Sequence, residues 1–506
     1  MELSSAYSVV LSLVLITFFT CAWKLLCMFW LKPKKLERCL RRQGINGTTY
    51  RLSFQDLRDI MRMAKQAPSQ PITPFSSDIV PHLFPSYHLF IKKYGKLCFT
   101  WFGPTPVLNI MDSDMFKEIY SRINEFEKPR PKAIRDLLIS GLLNIEGEKW
   151  AKHRKIINPA FHYGKLKDVV TATCSSCEEM IRGWEKQRLA GEVDVWPHLQ
   201  HLTGDVIYRA AFGGTYNKVK SIIHLQQEQI GLTHKILQIA NILGWCLLPN
   251  KLRKRMKEID HKVKGLLEEV VTKREKAIKE GGADYNDLLG LLLKSNMKEI
   301  QESGHQNGMS IEDVIQECKA FSFAGQETTA VLLTWTLILL SKYQNWQHRA
   351  REEILQVFGN NKPDFDGLSR LKIVSMILNE VLRLYPPGFM TMRTVHKTTK
   401  LGNIQVPPGV VLLVPMILIH HDLEIWGVSK ATQNKLYFLP FGWGPRNCIG
   451  QNFSLVEAKV ALTLTLQNFS MQLSPSYKHA PIPMLTIHPQ YGVPLILTRI
   501  ESSDRI

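Results

Sequence analysis

FLPFGWGPRNCIG, residues 438–450, is the stretch whose reading decides the fold. It sets one cysteine, Cys448, among Gly442, Gly444 and Gly450, with Phe441, Pro445 and Arg446 beside them. Glycine lets the backbone take positive φ and approach a neighbouring group closely. A turn of this kind can aim several backbone N–H groups at one sulfur, which lowers the pKa of the thiol and suits a metal-binding thiolate. An apparent helix follows directly. The question the loop raises is why a thiol is held in a rigid, glycine-rich turn right before a helix.

Working outward, MSIEDVIQECKAFSFAGQETTAVLLTWTLILLSKY, residues 309–343, reads as one long helix. Ser310 with Asp313 resembles a capping box, and no proline intervenes before Lys342. At 1.5 Å per residue it is roughly 50 Å long, enough to cross a whole domain. Its second half is apolar nearly all round, which predicts burial. The centre, Ala324 to Thr329, is different. Gly325 costs about 1 kcal/mol against alanine in a helix interior. Glu327 is a carboxylate in apolar surroundings, costly there unless paired or protonated. Thr328 can donate to the carbonyl of Ala324, four residues earlier. These residues read either as a pocket that handles protons or as a kinked structural helix with a satisfied threonine.

Two further segments carry chemistry. LSRLKIVSMILNEVLRLYPPGFM, 368–390, predicts a helix stopped by Pro386 and Pro387, with Glu380 and Arg383 three apart on one face. Most such pairs are exposed and contribute under about 1 kcal/mol. In GEKWAKHRKIINPAF, 147–161, Trp150 and Arg154 are four apart on a helical face. An indole N–H and a guanidinium together can grip a buried carboxylate, or they can simply form a surface cation lying on a ring.

Residues 3–23, LSSAYSVVLSLVLITFFTCAW, carry no charge. A bilayer core of about 30 Å needs roughly 20 such residues in a helix. Lys32, Lys34, Lys35, Arg38, Arg41 and Arg42 lie on the far side, and Trp23 and Trp30 suit an interface. This pattern reads as an uncleaved signal anchor with a basic, cytosolic flank; a buried core helix is the alternative. The expected organisation is an anchor over 1–31, a basic linker over 32–50 and a cytosolic catalytic domain over 51–506. The net charge of +19 suits a lipid surface or an acidic protein partner. No nucleic-acid motif appears. The nine cysteines are odd in number and scattered, which argues against a disulfide framework. Cys174 and Cys177 have a C-x-x-C spacing but no second pair, and they read as structural thiols.

Taken together, these segments resemble the cytochrome P450 family. Phe441-Gly-x-Gly-x-Arg446-x-Cys448-x-Gly450 looks like its haem-ligand loop. Glu380-x-x-Arg383 resembles its K helix, Ala324-Gly-x-Glu327-Thr328 its I helix, and Trp150-x-x-x-Arg154 its C helix. EGEKWAKHRKIINPAFH, FAGQETT, PFGWGPR and LSPSYKHAP look most similar to a plant subfamily that includes secologanin synthase and oxidases of triterpenoid saponin scaffolds. The resemblance implies a mainly α fold with small β-sheets (α+β) and a long central I helix, preceded by one transmembrane helix. It implies haem b with Cys448 as the axial ligand of the iron. It assigns Arg446, Arg393, Arg154 and Trp150 to the haem propionates, Phe441, Gly442 and Gly450 to the ligand loop, and Thr328 and Glu327 to proton delivery. Glu380 and Arg383 form its structural pair. It further implies NADPH used indirectly through a membrane-bound reductase with an acidic docking face. The remaining expectations are membrane lipid and an apolar small molecule as partners, no nucleic acid, and a single-pass place in the endoplasmic reticulum membrane.

One departure stands out. HHDLEIWGVSKATQNKLY, 420–437, is short. The family pattern has a Pro-x-Arg-Phe element before the cysteine loop, whose arginine joins the Glu380–Arg383 pair. Here Trp426-Gly427 runs directly into Val428, about a dozen or more residues are missing, and no arginine lies between His420 and Pro445. Lys430 and Lys435 are the cations in that interval, and a lysine offers a point charge in place of a planar fork. If the Glu380–Arg383 network is buried, losing one member costs on the order of 3–5 kcal/mol. Strain on the approach to Cys448 is also expected, so the alternative function is a catalytically impaired member or a truncated gene product.

Overall fold

The computed structural model describes residues 2–500 except 67–69, 130–140, 163, 165, 214, 215, 244–249, 282–284 and 428–434. Its chain forms two compact units. One comprises Met1–Ala67, Phe84–Pro129 and Met390–Leu418; the other comprises Pro68–Leu83, Arg130–Phe389 and Ile419–Ile506.

The first unit begins with the helix Glu2–Leu26. The apolar run is long enough to cross a membrane, and from Leu11 onward its large apolar side chains stand exposed. Trp23 and Trp30 are among them. The basic segment expected as a linker is largely ordered. It forms the amphipathic helix Lys32–Arg42, which buries Leu36 and Leu40, and then the short strand Asn46–Gly47. That strand opens a five-stranded sheet whose spatial order is Asn46–Gly47, Cys98–Phe102, Thr105–Asn109, Val411–Val414, Thr391–Thr394. The pairings run parallel, antiparallel, parallel, antiparallel. Phe99, Leu108, Leu412 and Leu413 are fully buried in it.

The second unit is built around the helix Ile311–Lys342, 32 residues without a break. Ser310 caps it: its hydroxyl accepts from the Asp313 N–H, and the Asp313 carboxylate accepts in return from the Ser310 N–H. As the hydropathy predicts, every residue from Thr329 to Ser341 is buried. The helix Val195–Phe212 crosses it closely. A Cβ on Gly325 would stand 3.2 Å from Ile207, and one on Gly204 would stand 3.1 Å from the Gln326 amide. The glycine that weakens the central helix is thus what lets a second helix lie against it. At the same crossing the Thr203 hydroxyl donates to the Gln326 carbonyl at 2.8 Å.

On other sides the central helix meets the helices Lys372–Leu384 and Gln451–Asn468. Lys372–Leu384 ends just before Pro386–Pro387, as its sequence predicts. The helix Lys167–Gln187 lies along Gln451–Asn468 and buries Cys174 and Cys177. Burial pushes the Cys174 thiol up to about 11 and Cys177 well above its ordinary range, so both are inert structural thiols. A small antiparallel sheet orders Val193–Asp194, Pro494–Arg499 and Phe469–Leu473. A two-stranded ribbon pairs Pro481–Pro483 with Ile487–Pro489.

Candidate haem-thiolate site

The cysteine loop folds on its own backbone. Gly442 N–H donates to Leu439 O at 3.0 Å, Cys448 N–H to Phe441 O at 2.8 Å, and Asn447 N–H to Gly444 O at 3.0 Å. Gly442 and Gly444 take φ of +76° and +71°, where a side chain would be strained. Among the described residues from Lys435 to Gly450 no non-glycine residue has positive φ. The junction at 428–434, where strain on the approach to Cys448 is expected, lies outside the described residues. A Cβ on Gly450 would reach within 4.0 Å of the Cys448 sulfur.

Cys448 lies just before the N-terminus of the helix Gln451–Asn468. The residue is exposed, yet the surrounding protein is dense enough for burial to push the thiol pKa up. The two facts describe an open recess. The Gly450 N–H and the Arg154 charge act in the opposite direction and favour the thiolate.

Trp150 and Arg154 share a face of the helix Gly147–Ile157, and each meets a different partner within the protein. Arg154 reaches the cysteine loop: Nη1 donates to Asn447 O at 2.8 Å and Nη2 to Asn447 Oδ1 at 2.9 Å. Trp150 lies under Arg446, whose guanidinium carbon is 4.3 Å from the ring centroid. Arg446 also pairs with Glu146 at 2.5 Å, and both side chains are almost wholly buried. Neither Asn447 nor Glu146 was singled out from the sequence. Asn447 adjoins the cysteine, and Glu146 immediately precedes the Trp150 helix, so adjacency was the available signal.

On the central helix Phe321, Ala324 and Thr328 form a half-buried stripe at helical spacing. Thr328 Oγ1 donates to Ala324 O at 2.7 Å, as expected. One residue on, Thr329 Oγ1 is hydrogen-bonded to Ser454 Oγ at 3.2 Å, which joins this helix to the first turn after the cysteine loop. Glu327 is buried and paired. It accepts from Thr486 Oγ1 at 2.7 Å and bonds His488 Nε2. Neither partner was foreseen, because both lie some 160 residues away and IHP carries no motif.

Arg383 grips Glu380 with two hydrogen bonds, 2.8 and 2.6 Å, and donates to His420 O at 2.7 Å. The Glu380 side chain is 55% exposed, so the condition for a large buried-network cost is not met. The pair belongs to the surface class, worth under about 1 kcal/mol. The shortened junction at 428–434 lies outside the described residues, as does Lys430. So do residues 130–140, within the stretch 128–145 that is a candidate for substrate contact from the sequence. Arg393 belongs to the sheet unit, buried on Thr391–Thr394; it donates to Met392 O at 2.8 Å and lies 5.4 Å from the Tyr120 ring centroid.

The Cytochrome P450 family model matches residues 80–493. The chain belongs to the cytochrome P450 family. It is 50% identical to cytochrome P450 72A397 of Kalopanax septemlobus over 497 positions, which covers 95% of each chain. It is 47% identical to cytochrome P450 CYP72A219 of Panax ginseng over 516 positions, covering 98% of each. It is also 47% identical to a Glycyrrhiza uralensis protein named 11-oxo-beta-amyrin 30-oxidase, over 93% of this chain and 94% of the other. A mostly helical cytochrome P450 with small sheets is what the coordinates show, and its cofactor is haem bound through a cysteine thiolate. The residues fit that group: an exposed cysteine, a glycine-lined backbone beside it and the cations Arg154 and Arg446 nearby. Haem so ligated supplies an iron at which dioxygen is activated, the thiolate favouring O–O cleavage.

Proposed function

We propose that this cytochrome P450 is a membrane-anchored monooxygenase of the endoplasmic reticulum acting on an apolar, triterpenoid-type small molecule. One oxygen atom enters a C–H bond and the other leaves as water. NADPH supplies the two electrons through a membrane-bound reductase, and two protons come from solvent. The observation that carries this reading is the exposed Cys448 in its glycine loop, tied through Ser454 and Thr329 to the stripe that bears Thr328.

Cys448 is the axial ligand in this reading. Trp150, Arg154, Arg446 and Arg393 hold the carboxylates of the cofactor, with Arg446 bringing a guanidinium already stacked on Trp150. Phe441, Gly442 and Gly450 keep the loop close-fitting. Thr328 hands on protons, and Glu327, held in place by Thr486 and His488, replenishes them. Glu380 and Arg383 brace the helix that precedes the loop. Phe321, Phe323 and Ala324 on the central helix, with Gly388, Phe389 and Met390, offer apolar contacts. The substrate class rests on these and on the activity named for the Glycyrrhiza relative.

A second reading is an impaired member of the family. The Panax alignment spans 516 positions, more than the 506 residues of this chain, so that relative has positions with no counterpart here. The deciding experiment is the absorption spectrum of the reduced, carbon monoxide-bound full-length protein in microsomes. A red-shifted Soret band of thiolate-ligated haem, followed by NADPH-dependent oxidation of a triterpenoid panel with reductase, supports the monooxygenase. Well-expressed protein without that band supports the impaired form.

A further inference from the structure

His420 and His421 stand at the end of the helix Met416–His420, between Arg383 and the cysteine loop. His420 is fully buried and uses both its backbone and its ring. Its carbonyl accepts from Arg383 at 2.7 Å. Its ring Nε2 accepts from the Leu439 N–H at 3.1 Å. His421 Nε2 donates to Leu384 O at 2.8 Å, at the last residue of the Lys372–Leu384 helix. The His420 ring also sits 5.7 Å from Phe438 and 6.4 Å from Trp426, and those two rings are 6.2 Å apart. Burial lowers the pKa of His420 to about 3, so the ring is neutral and Nε2 keeps its lone pair.

Leu439 is where the cysteine loop starts to fold back. Its carbonyl receives the Gly442 N–H, and Phe441 O receives the Cys448 N–H. A short relay of peptide groups therefore runs from the His420 ring to the backbone of Cys448. At the other end the same residue is fastened to Arg383.

We propose that His420 is the positioning residue for Cys448: it carries the cysteine loop on the end of the Lys372–Leu384 helix, through its carbonyl on one side and its neutral ring on the other. The proposal deepens the haem-thiolate reading of the same site.

The test is amide hydrogen exchange of the full-length protein in detergent, read by mass spectrometry on peptides covering 438–450. Because it follows the loop backbone, it works whether or not haem is bound. His420→Phe keeps the aromatic packing and removes the acceptor; His420→Gln places a carbonyl oxygen near the position of Nε2. The expected result is exchange about tenfold faster across 438–450 in His420→Phe, restored to near wild type in His420→Gln, with the strand Phe469–Leu473 unchanged. Wild-type exchange in His420→Phe would overturn the proposal. So would a rise shared equally by Phe469–Leu473, or a glutamine variant as fast as the phenylalanine one. If His420→Phe does not accumulate, His420→Asn, whose oxygen falls short of Leu439, takes its place. A parallel carbon monoxide spectrum separates the two readings. No thiolate band in wild type counts against the monooxygenase and leaves the exchange result standing. With that band present, its share should fall in His420→Phe and recover in His420→Gln.

Discussion

Replacing Glu327 with alanine removes the carboxylate that holds the central helix to the segment Thr486–His488. Its side chain is 2% exposed and that of His488 is 10% exposed, so the pair is screened little by solvent. Truncating one member of a buried pair costs about 3–5 kcal/mol. The Thr486 hydroxyl, 2.7 Å from the same oxygen, also loses its acceptor, which by itself costs about 1–3 kcal/mol. The two losses share one oxygen and do not add fully. The expected destabilisation of Glu327→Ala is about 3–5 kcal/mol, a large part of the 5–15 kcal/mol typical of folded proteins. Glu327→Gln keeps an acceptor oxygen for Thr486 and gives up the charge, and it should lose about 1–2 kcal/mol. Urea unfolding in detergent, followed by tryptophan fluorescence, measures both. An alanine variant within 1 kcal/mol of wild type would refute the reasoning, because the contacts would then contribute nothing net. A glutamine variant that stays folded but turns over slowly would assign the carboxyl a chemical part as well.

Three other outcomes are expected. Arg154→Lys keeps the charge but not the fork that meets both oxygens of Asn447, so the thiolate-free share of the carbon monoxide complex should rise several-fold; an unchanged spectrum would remove Arg154 from loop support. Thr328→Val should leave the fold intact, since only the bond to Ala324 O is lost, while product formed per NADPH consumed falls; full coupling would argue against a proton role. Buried neutral histidines set an acid limit. His420 is lowered to about 3, and His479, lowered to about 4, is held by Tyr385 and Tyr477. Between the unfolded value of about 6.5 and these folded values the unfolded chain binds more protons. Stability should therefore fall as pH drops, by about 1.4 kcal/mol per pH unit for each ring. Melting temperatures from pH 7 to 5 check this, and His420→Gln should flatten the slope.

What was legible in the sequence was local. The capping box at Ser310 needs only residues three apart, and the Thr328 bond only four. The stop before Pro386 and the positive φ of Gly442 and Gly444 follow from backbone sterics. The N-terminal helix follows from a run of apolar residues. What was not legible depended on distant partners. Glu327 plainly needed a partner, but nothing near it in sequence named His488. The reason for Gly325 lay in Ile207, on another helix. Arg446 met Glu146, about 300 residues earlier. The exposure of Glu380, which decides how much the missing arginine matters, depends on what surrounds the helix end and not on the Glu-x-x-Arg spacing. The hydrogen bonds of His420 and His421 reach Arg383, Leu384 and Leu439, partners that the local sequence does not name.

The pairing of Arg446 with Glu146 has one more consequence. A guanidinium with a carboxylate already at 2.5 Å and an indole beneath it is internally neutralised, so the fold does not wait for an anionic guest to settle this corner. A guest carboxylate must share that cation or exchange places with Glu146. Such an exchange swaps one ion pair for another and contributes little net affinity. Under the proposed reading, the grip on the cofactor would come mainly from the sulfur and from close fit along the glycine loop, while the nearby charges would set its orientation.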